Sequence, residues 1–263
     1  MSGRRNALYG DGFFETIACH AGRIPLAAFH WSRIIQTAAF LRIELCDELN
    51  TFEKFIAICL NAGAGCDDSR IRLDIYRSGG GRYLPETNIS TFTIAVTSLS
   101  DVFNSKDLRR TNVGIIRNYH LSLNELHRYK LISRNIQVLA ALEAKDNQWD
   151  EAILLNDRAE IAEAISSNIF FINSRGDLFT PSIGSGALDG VMRSYILSNL
   201  SDDYSIFESV ITVDDLSTFE SCFLTNAIQG IVLVDHISRV HFENKQGERF
   251  RMHVLDQLLT KYY

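Results

Sequence analysis

The stretch Tyr129-Lys130-Leu131-Ile132-Ser133-Arg134-Asn135 stands directly ahead of an apolar run, and about thirty residues later comes Glu163-Ala164-Ile165-Ser166-Ser167-Asn168-Ile169-Phe170. Behind the first segment, residues 132–145 read as a helix. In the second, 169–172 is a short apolar run of the kind that forms a buried strand. Taken alone, a lysine and a glutamate are ordinary solvated charges, and Glu160 is as acidic as its neighbour Glu163. Their spacing, one before a helix and one before a strand, sets how the rest of the chain is read.

Outward from this pair, strands are expected at 113–117, 152–155, 222–225 and 231–234, with helices at 190–200 and 250–261. Nearer the N-terminus, Phe13 to Cys19 follows a Gly10-Asp11-Gly12 turn and reads as a strand. Residues 26–44 carry Phe29, Ile34, Ala38 and Leu41 at helical spacing, and 51–61 suggests a second helix. Ile71, Leu73 and Ile75 alternate with polar residues, as in a half-buried strand, and 91–97 repeats the pattern after the Ser78-Gly79-Gly80-Gly81-Arg82 loop. The chain is therefore read as mixed α/β, of α+β class. A small domain spans 1–98, a polar linker 99–107, and a larger domain carrying Lys130 spans 108–263.

Composition narrows the function classes. With 46% hydrophobic and 22% charged residues the chain is that of a soluble globular protein, long enough for one large or two modest cores. Its net charge of −6 and scattered basic residues argue against nucleic acid as a partner. No apolar run approaches the ~20 residues a bilayer span needs, and the start shows no secretory leader, so a cytoplasmic enzyme with no membrane partner is expected. Five cysteines without C-x-x-C spacing read as reduced structural thiols. The glycine clusters match neither a Walker nor a Rossmann fingerprint, so no nucleotide is implied and no metal is expected.

Lys130-Leu-Ile-Ser-Arg134-Asn-Ile-Gln-Val138-Leu139, followed at this distance by Glu163 and Ser-Asn-Ile-Phe, resembles the fold-type IV pyridoxal-phosphate enzymes, the class IV aminotransferase family, with its two-domain D-amino acid aminotransferase-like fold. The likeness runs from Tyr9-Gly10-Asp11-Gly12 to the C-terminal helix. Such enzymes need an amine for the cofactor aldehyde, an acid for the pyridine nitrogen and donors for the phosphate. The resemblance implies that Lys130 forms the Schiff base and is the catalytic residue, and that Glu163 pairs with the ring nitrogen. It gives the phosphate to Arg33, to the Gly190-Val191-Met192-Arg193 turn and to Asn226-Ala227. Many relatives carry Thr or Ser where Ala227 stands, leaving a main-chain amide here. Members usually carry an additional strand before the Tyr-Gly-Asp-Gly motif, whereas only eight residues precede Tyr9 here, so the expectation is either a missing edge strand or an internal start site. Relatives work as homodimers, which is the assembly expected here.

Within the family, the motifs lean towards 4-amino-4-deoxychorismate lyase. Arg134 stands where aminotransferases more often have Tyr, and Tyr76-Arg77-Ser78-Gly79-Gly80-Gly81-Arg82-Tyr83 resembles the lyase glycine loop. The expected substrate is an amino dicarboxylate bound by Tyr9, Arg77, Arg82 and Arg134, split to 4-aminobenzoate and pyruvate, a step of folate biosynthesis. A branched-chain or D-amino acid aminotransferase is the alternative, and a binding protein that has lost catalysis is a remote third.

Overall fold

The computed structural model describes residues 5–64, 68–99 and 110–262. Two compact units divide the chain: the first joins the residues before Val102 with Tyr129–Ser133 and the last two positions, and the second holds Phe103–Arg128 with Arg134–Lys261. Both are mixtures of helix and strand, as the sequence pattern requires. The expected linker lies outside the described residues apart from Leu99.

In the first unit, α1 (Arg5–Tyr9) leads through Gly10, at a φ of 63°, into β1 (Gly12–His20). Beyond it come α2 (Ala27–Leu41), α3 (Phe52–Gly63), β2 (Asp68–Arg77) and β3 (Ser90–Ser98). The strands form an antiparallel sheet in the order β1-β2-β3. Period-2 alternation in β1 turns Phe13, Glu15, Ile17 and Cys19 to the buried face. There Phe13 and Ile17 join Ile34, Phe55, Ile71, Leu73 and Ile75 in one core. The helix expected to reach Glu44 ends at Leu41, because Arg42 adopts a left-handed conformation and returns its N–H to the carbonyls of Ala38 and Ala39.

Tyr129–Ser133 lies along the outer edge of β1. The Phe14 N–H donates to the Lys130 carbonyl at 2.9 Å and the Ile132 N–H to the Gly12 carbonyl at 3.1 Å. Tyr129 stacks on Phe40 at 4.2 Å, and Leu131 packs on the core of the first unit. The segment was expected to lie in the larger domain, just ahead of and running into a helix from residue 132. It belongs instead to the small sheet, since extended backbone here satisfies β1 donors and acceptors that a helix would leave unpaired. The helix itself, α4 (Asn135–Asp146), starts three residues later than expected.

The second unit is built on a mixed sheet. Its strands are β4 (Arg110–Leu121), β5 (Glu151–Asn156), β6 (Ile161–Ala164), β7 (Asn168–Ile172), β8 (Leu178–Pro181), β9 (Ile206–Ser209), β10 (Ser221–Asn226), β11 (Gly230–Ile237) and β12 (Val240–His241). They run in the order β6-β5-β4-β11-β10-β7-β8-β9, with β12 on β11. One cluster gathers Ile153, Phe171, Leu224, Val234 and Phe242, and another sets Ile116, Leu154 and Ala162 against Ala140 and Ala144 of α4. Two further helices, α5 (Val191–Asn199) and α6 (Lys245–Tyr262), complete it. Phe170, Phe223 and Phe250 stack in series, which fixes α6 on the sheet.

Candidate active site

Lys130, half-buried, sits beside β1 in the first unit, with its Nζ 4.8 Å from the centre of the Phe14 ring. Next to Phe14 in sequence, Glu15 is fully buried and binds two side chains of α2. Its Oε1 accepts from Arg33 Nε at 2.8 Å, and its Oε2 accepts from Arg33 Nη2 at 2.6 Å and contacts His30 Nδ1 at 2.7 Å. Burial pushes the Glu15 carboxyl up, but the Arg33 charge and the hydrogen bonds from His30 and Arg33 outweigh it and hold the group down at about 2. Burial is also the chief influence on His30 and lowers it. Arg33 is 8% exposed, so it is not a solvent-facing helix charge.

Around Tyr9 the first unit has a cavity of about 330 Å³ lined by Arg5, Asp11, Arg77, Tyr83 and Leu131 among others. Arg77 was expected to meet a substrate carboxylate. Its Nη1 donates to Asp11, its Nη2 to the Leu41 carbonyl and its Nε to Asn88 at 3.2 Å. Those bonds make it a buttress of the Gly10-Asp11-Gly12 turn. Arg5, which sequence reading passed over, bonds Asp11 at 2.7 Å and the Gly80 carbonyl at 3.2 Å, so it ties the glycine loop to the same turn. Arg82 is exposed, and Tyr9 is 40% exposed with its ring 5.5 Å from that of Tyr83.

In the second unit Glu163 lies on β6 and is 5% exposed. One carboxylate oxygen accepts the Leu188 N–H at 2.8 Å, and the other is 3.4 Å from Gln137 Nε2. The Leu188 carbonyl accepts from Asn168 Nδ2 at 2.8 Å, which fixes the approach to Gly190 and α5. The N-cap of α5 is Gly190, which has no side chain to accept from the first amides of the helix. Asn168 pairs with Thr225 across β7 and β10, and Asn226 donates to Ser167 at 3.0 Å while its Oδ1 takes the N–H groups of Ile228 and Gln229. Glu163, the α5 turn and the Asn226-Ala227 turn are thus linked through Leu188, Asn168 and Ser167. Arg134 precedes the first turn of α4 and is half-buried.

These residues suit pyridoxal phosphate. The first unit supplies an amine at Lys130, and the second a buried carboxylate held by a main-chain N–H and a helix start at Gly190. Beside Asn226, the buried Thr225 hydroxyl has no hydrogen-bond partner among the described residues, as a site awaiting an acceptor-rich group would leave it.

Residues 12–237 match the model of the family described as amino-transferase class IV. Among curated relatives, the chain is 27% identical over 237 residues to the "Probable branched-chain-amino-acid aminotransferase" of Thermotoga maritima, covering 89% of this chain and 80% of the relative. It is 26% identical over 239 residues to the aminodeoxychorismate lyase of Vibrio harveyi, covering 90% and 86%. In fold it is similar to the branched-chain amino acid aminotransferase of Escherichia coli, at a TM-score of 0.85 and 18% identity over 97% of this chain and 87% of that one. The chain therefore belongs to the class IV aminotransferase family and is a pyridoxal-phosphate-dependent enzyme.

Proposed function

We propose that the protein is a lyase of 4-amino-4-deoxychorismate or a closely similar amino dicarboxylate, releasing 4-aminobenzoate and pyruvate. The observation that carries this reading is Arg134, a half-buried cation four positions after Lys130 where aminotransferases more often place an uncharged tyrosine. The lyase-named relative, matched over most of its length, supports it.

Bound cofactor supplies an electron sink at the substrate amine. Lys130 is the residue that would hold the cofactor aldehyde, and its Nζ is the base for the proton on the substrate C4. Glu163 would keep the ring nitrogen protonated. Arg33 in the first unit, and in the second the amides of Val191, Met192 and Ala227 with Asn226, are the groups that would hold the phosphate. Tyr9 and Arg82 of the first unit and Arg134 of the second are the groups that would meet substrate carboxylates, while Arg77 holds the Asp11 turn. Departure of the enolpyruvyl group as the enolate leaves an aromatic ring, and the proton held on Lys130 Nζ passes to that enolate to give pyruvate.

A lyase needs no keto-acid acceptor. Incubated with aminodeoxychorismate alone, the enzyme is expected to release pyruvate and an aromatic amine over many turnovers. Amino transfer from a branched-chain or D-amino acid only when 2-oxoglutarate is added, without pyruvate release, selects the aminotransferase reading instead. The same proposal takes the protein as a cytoplasmic homodimer of the folate route. The exposed Val138, Leu139 and Leu142 on α4 offer an apolar face, and light scattering gives the mass.

A further inference from the structure

Once the cofactor parts are assigned, the buried cluster of Glu15, His30 and Arg33 remains unexplained. Taking ionised groups out of water costs as much as their attraction returns, so such a cluster is weak evidence of a purely stabilising role. Its geometry is specific. Both carboxylate oxygens are occupied, and Arg33 is gripped through two nitrogens of its planar fork. Because the ionised carboxylate can only accept, His30 donates from Nδ1 and its tautomer is set. α2 brings His30 and Arg33 to one face at i, i+3, and β1 turns Glu15 towards them. The preceding residue, Phe14, meets Lys130 through both its ring and its N–H.

We propose that Glu15 is a positioning residue for the phosphate-binding arginine. It fixes the plane of the Arg33 guanidinium, and the dipeptide Phe14-Glu15 thereby ties the lysine and the arginine to adjacent positions of one strand. The inference rests on Arg33 meeting the phosphate.

The test compares pyridoxal phosphate with pyridoxal, which lacks the phosphate, by absorbance titration of the apoprotein. The ratio of the two affinities reads the phosphate contact without any turnover. Glu15→Gln is expected to lower that ratio about tenfold or more, close to the value for Arg33→Ala. The double variant is expected to fall no further, as for two residues acting as one unit. If Arg33→Ala keeps the full ratio, the phosphate reading itself fails. If Arg33→Ala loses it while Glu15→Gln keeps it, only the positioning role fails. Equal weakening of both ligands, with the ratio intact, also overturns the proposal, since a packing defect acts on both. Should Glu15→Gln not fold, Glu15→Asp keeps the charge but is one methylene shorter. A lowered ratio there supports the inference and an unchanged one overturns it.

Discussion

Gly190 and Asn168 are packed so closely that a Cβ on the glycine would lie 1.9 Å from Oδ1 of the asparagine. Asn168 is buried and bonded to the Leu188 carbonyl, so its amide has little room to withdraw. Gly190→Ala therefore has to displace the start of α5, which carries the amides proposed for the phosphate. Overpacking of this kind costs about 1–3 kcal/mol. Thermal unfolding is expected to show that loss, and cofactor titration a fall in affinity of about tenfold or more. Wild-type cofactor affinity in this variant would separate the α5 turn from the phosphate.

Lys130→Ala removes the amine but not the main-chain bonds that hold Tyr129–Ser133 on β1. The variant is expected to purify folded, with no cofactor adduct fixed by borohydride. Peptide mapping that finds such an adduct on another lysine would move the role elsewhere.

Glu163→Gln keeps the shape of a side chain bonded to the Leu188 N–H while removing its charge. Turnover is expected to fall by orders of magnitude, on the scale of about 10²–10³ seen when a preorganised electrostatic group is lost. Cofactor retention stays high. Near-normal turnover would point to Glu160, whose carboxylate instead takes Asn156 Nδ2 at 2.7 Å.

Arg77→Ala distinguishes two roles. A residue that grips substrate raises KM and leaves stability nearly alone. One that braces the Asp11 turn leaves Asp11 short of a buried partner and lowers the melting temperature. The bonds to Asp11, Leu41 and Asn88 predict the second outcome, with unfolding free energy reduced by about 1–3 kcal/mol because Arg5 still pairs with Asp11.

The low Glu15 carboxyl has a consequence for acid unfolding. Its folded value of about 2 lies below the usual 4.5, so the charged form is favoured by folding. The linked stability, on the order of 3 kcal/mol, is fully present above about pH 5 and disappears as pH falls through about 2. The stability gap between the wild type and Glu15→Gln is expected to be flat from pH 7 to about 5 and to narrow below that. A gap that stays constant down to about pH 2 would show that Glu15 does not titrate as this cluster requires.

Much of this was legible in the residues. The alternation of β2 and β3 and the helical spacing in α2 were readable because each runs for two or more periods. β6, β8 and β9 were not, since four residues give too little alternation to separate from loop. The start of α6 was hidden because its first turn, Lys245-Gln246-Gly247-Glu248, shows no apolar spacing. Glu15 had a signal that went unused: a charge on the same face as Phe13 and Ile17 of an apolar strand has to be paired inside. The partners of Arg77 could not be read, because Asp11, Leu41 and Asn88 are far apart in sequence and only the fold brings them together.

The placement of Tyr129–Ser133 bears on how the protein is made. β1 leaves the ribosome more than a hundred residues before the segment that closes its edge, so the nascent first unit exposes the Phe14 N–H and the Gly12 carbonyl throughout that interval. A fragment cut before residue 129 keeps all three strands of the small sheet yet never seals it. Completion of that sheet and delivery of Lys130 are one event in synthesis, so the lysine proposed for the cofactor arrives with the segment that seals the first unit.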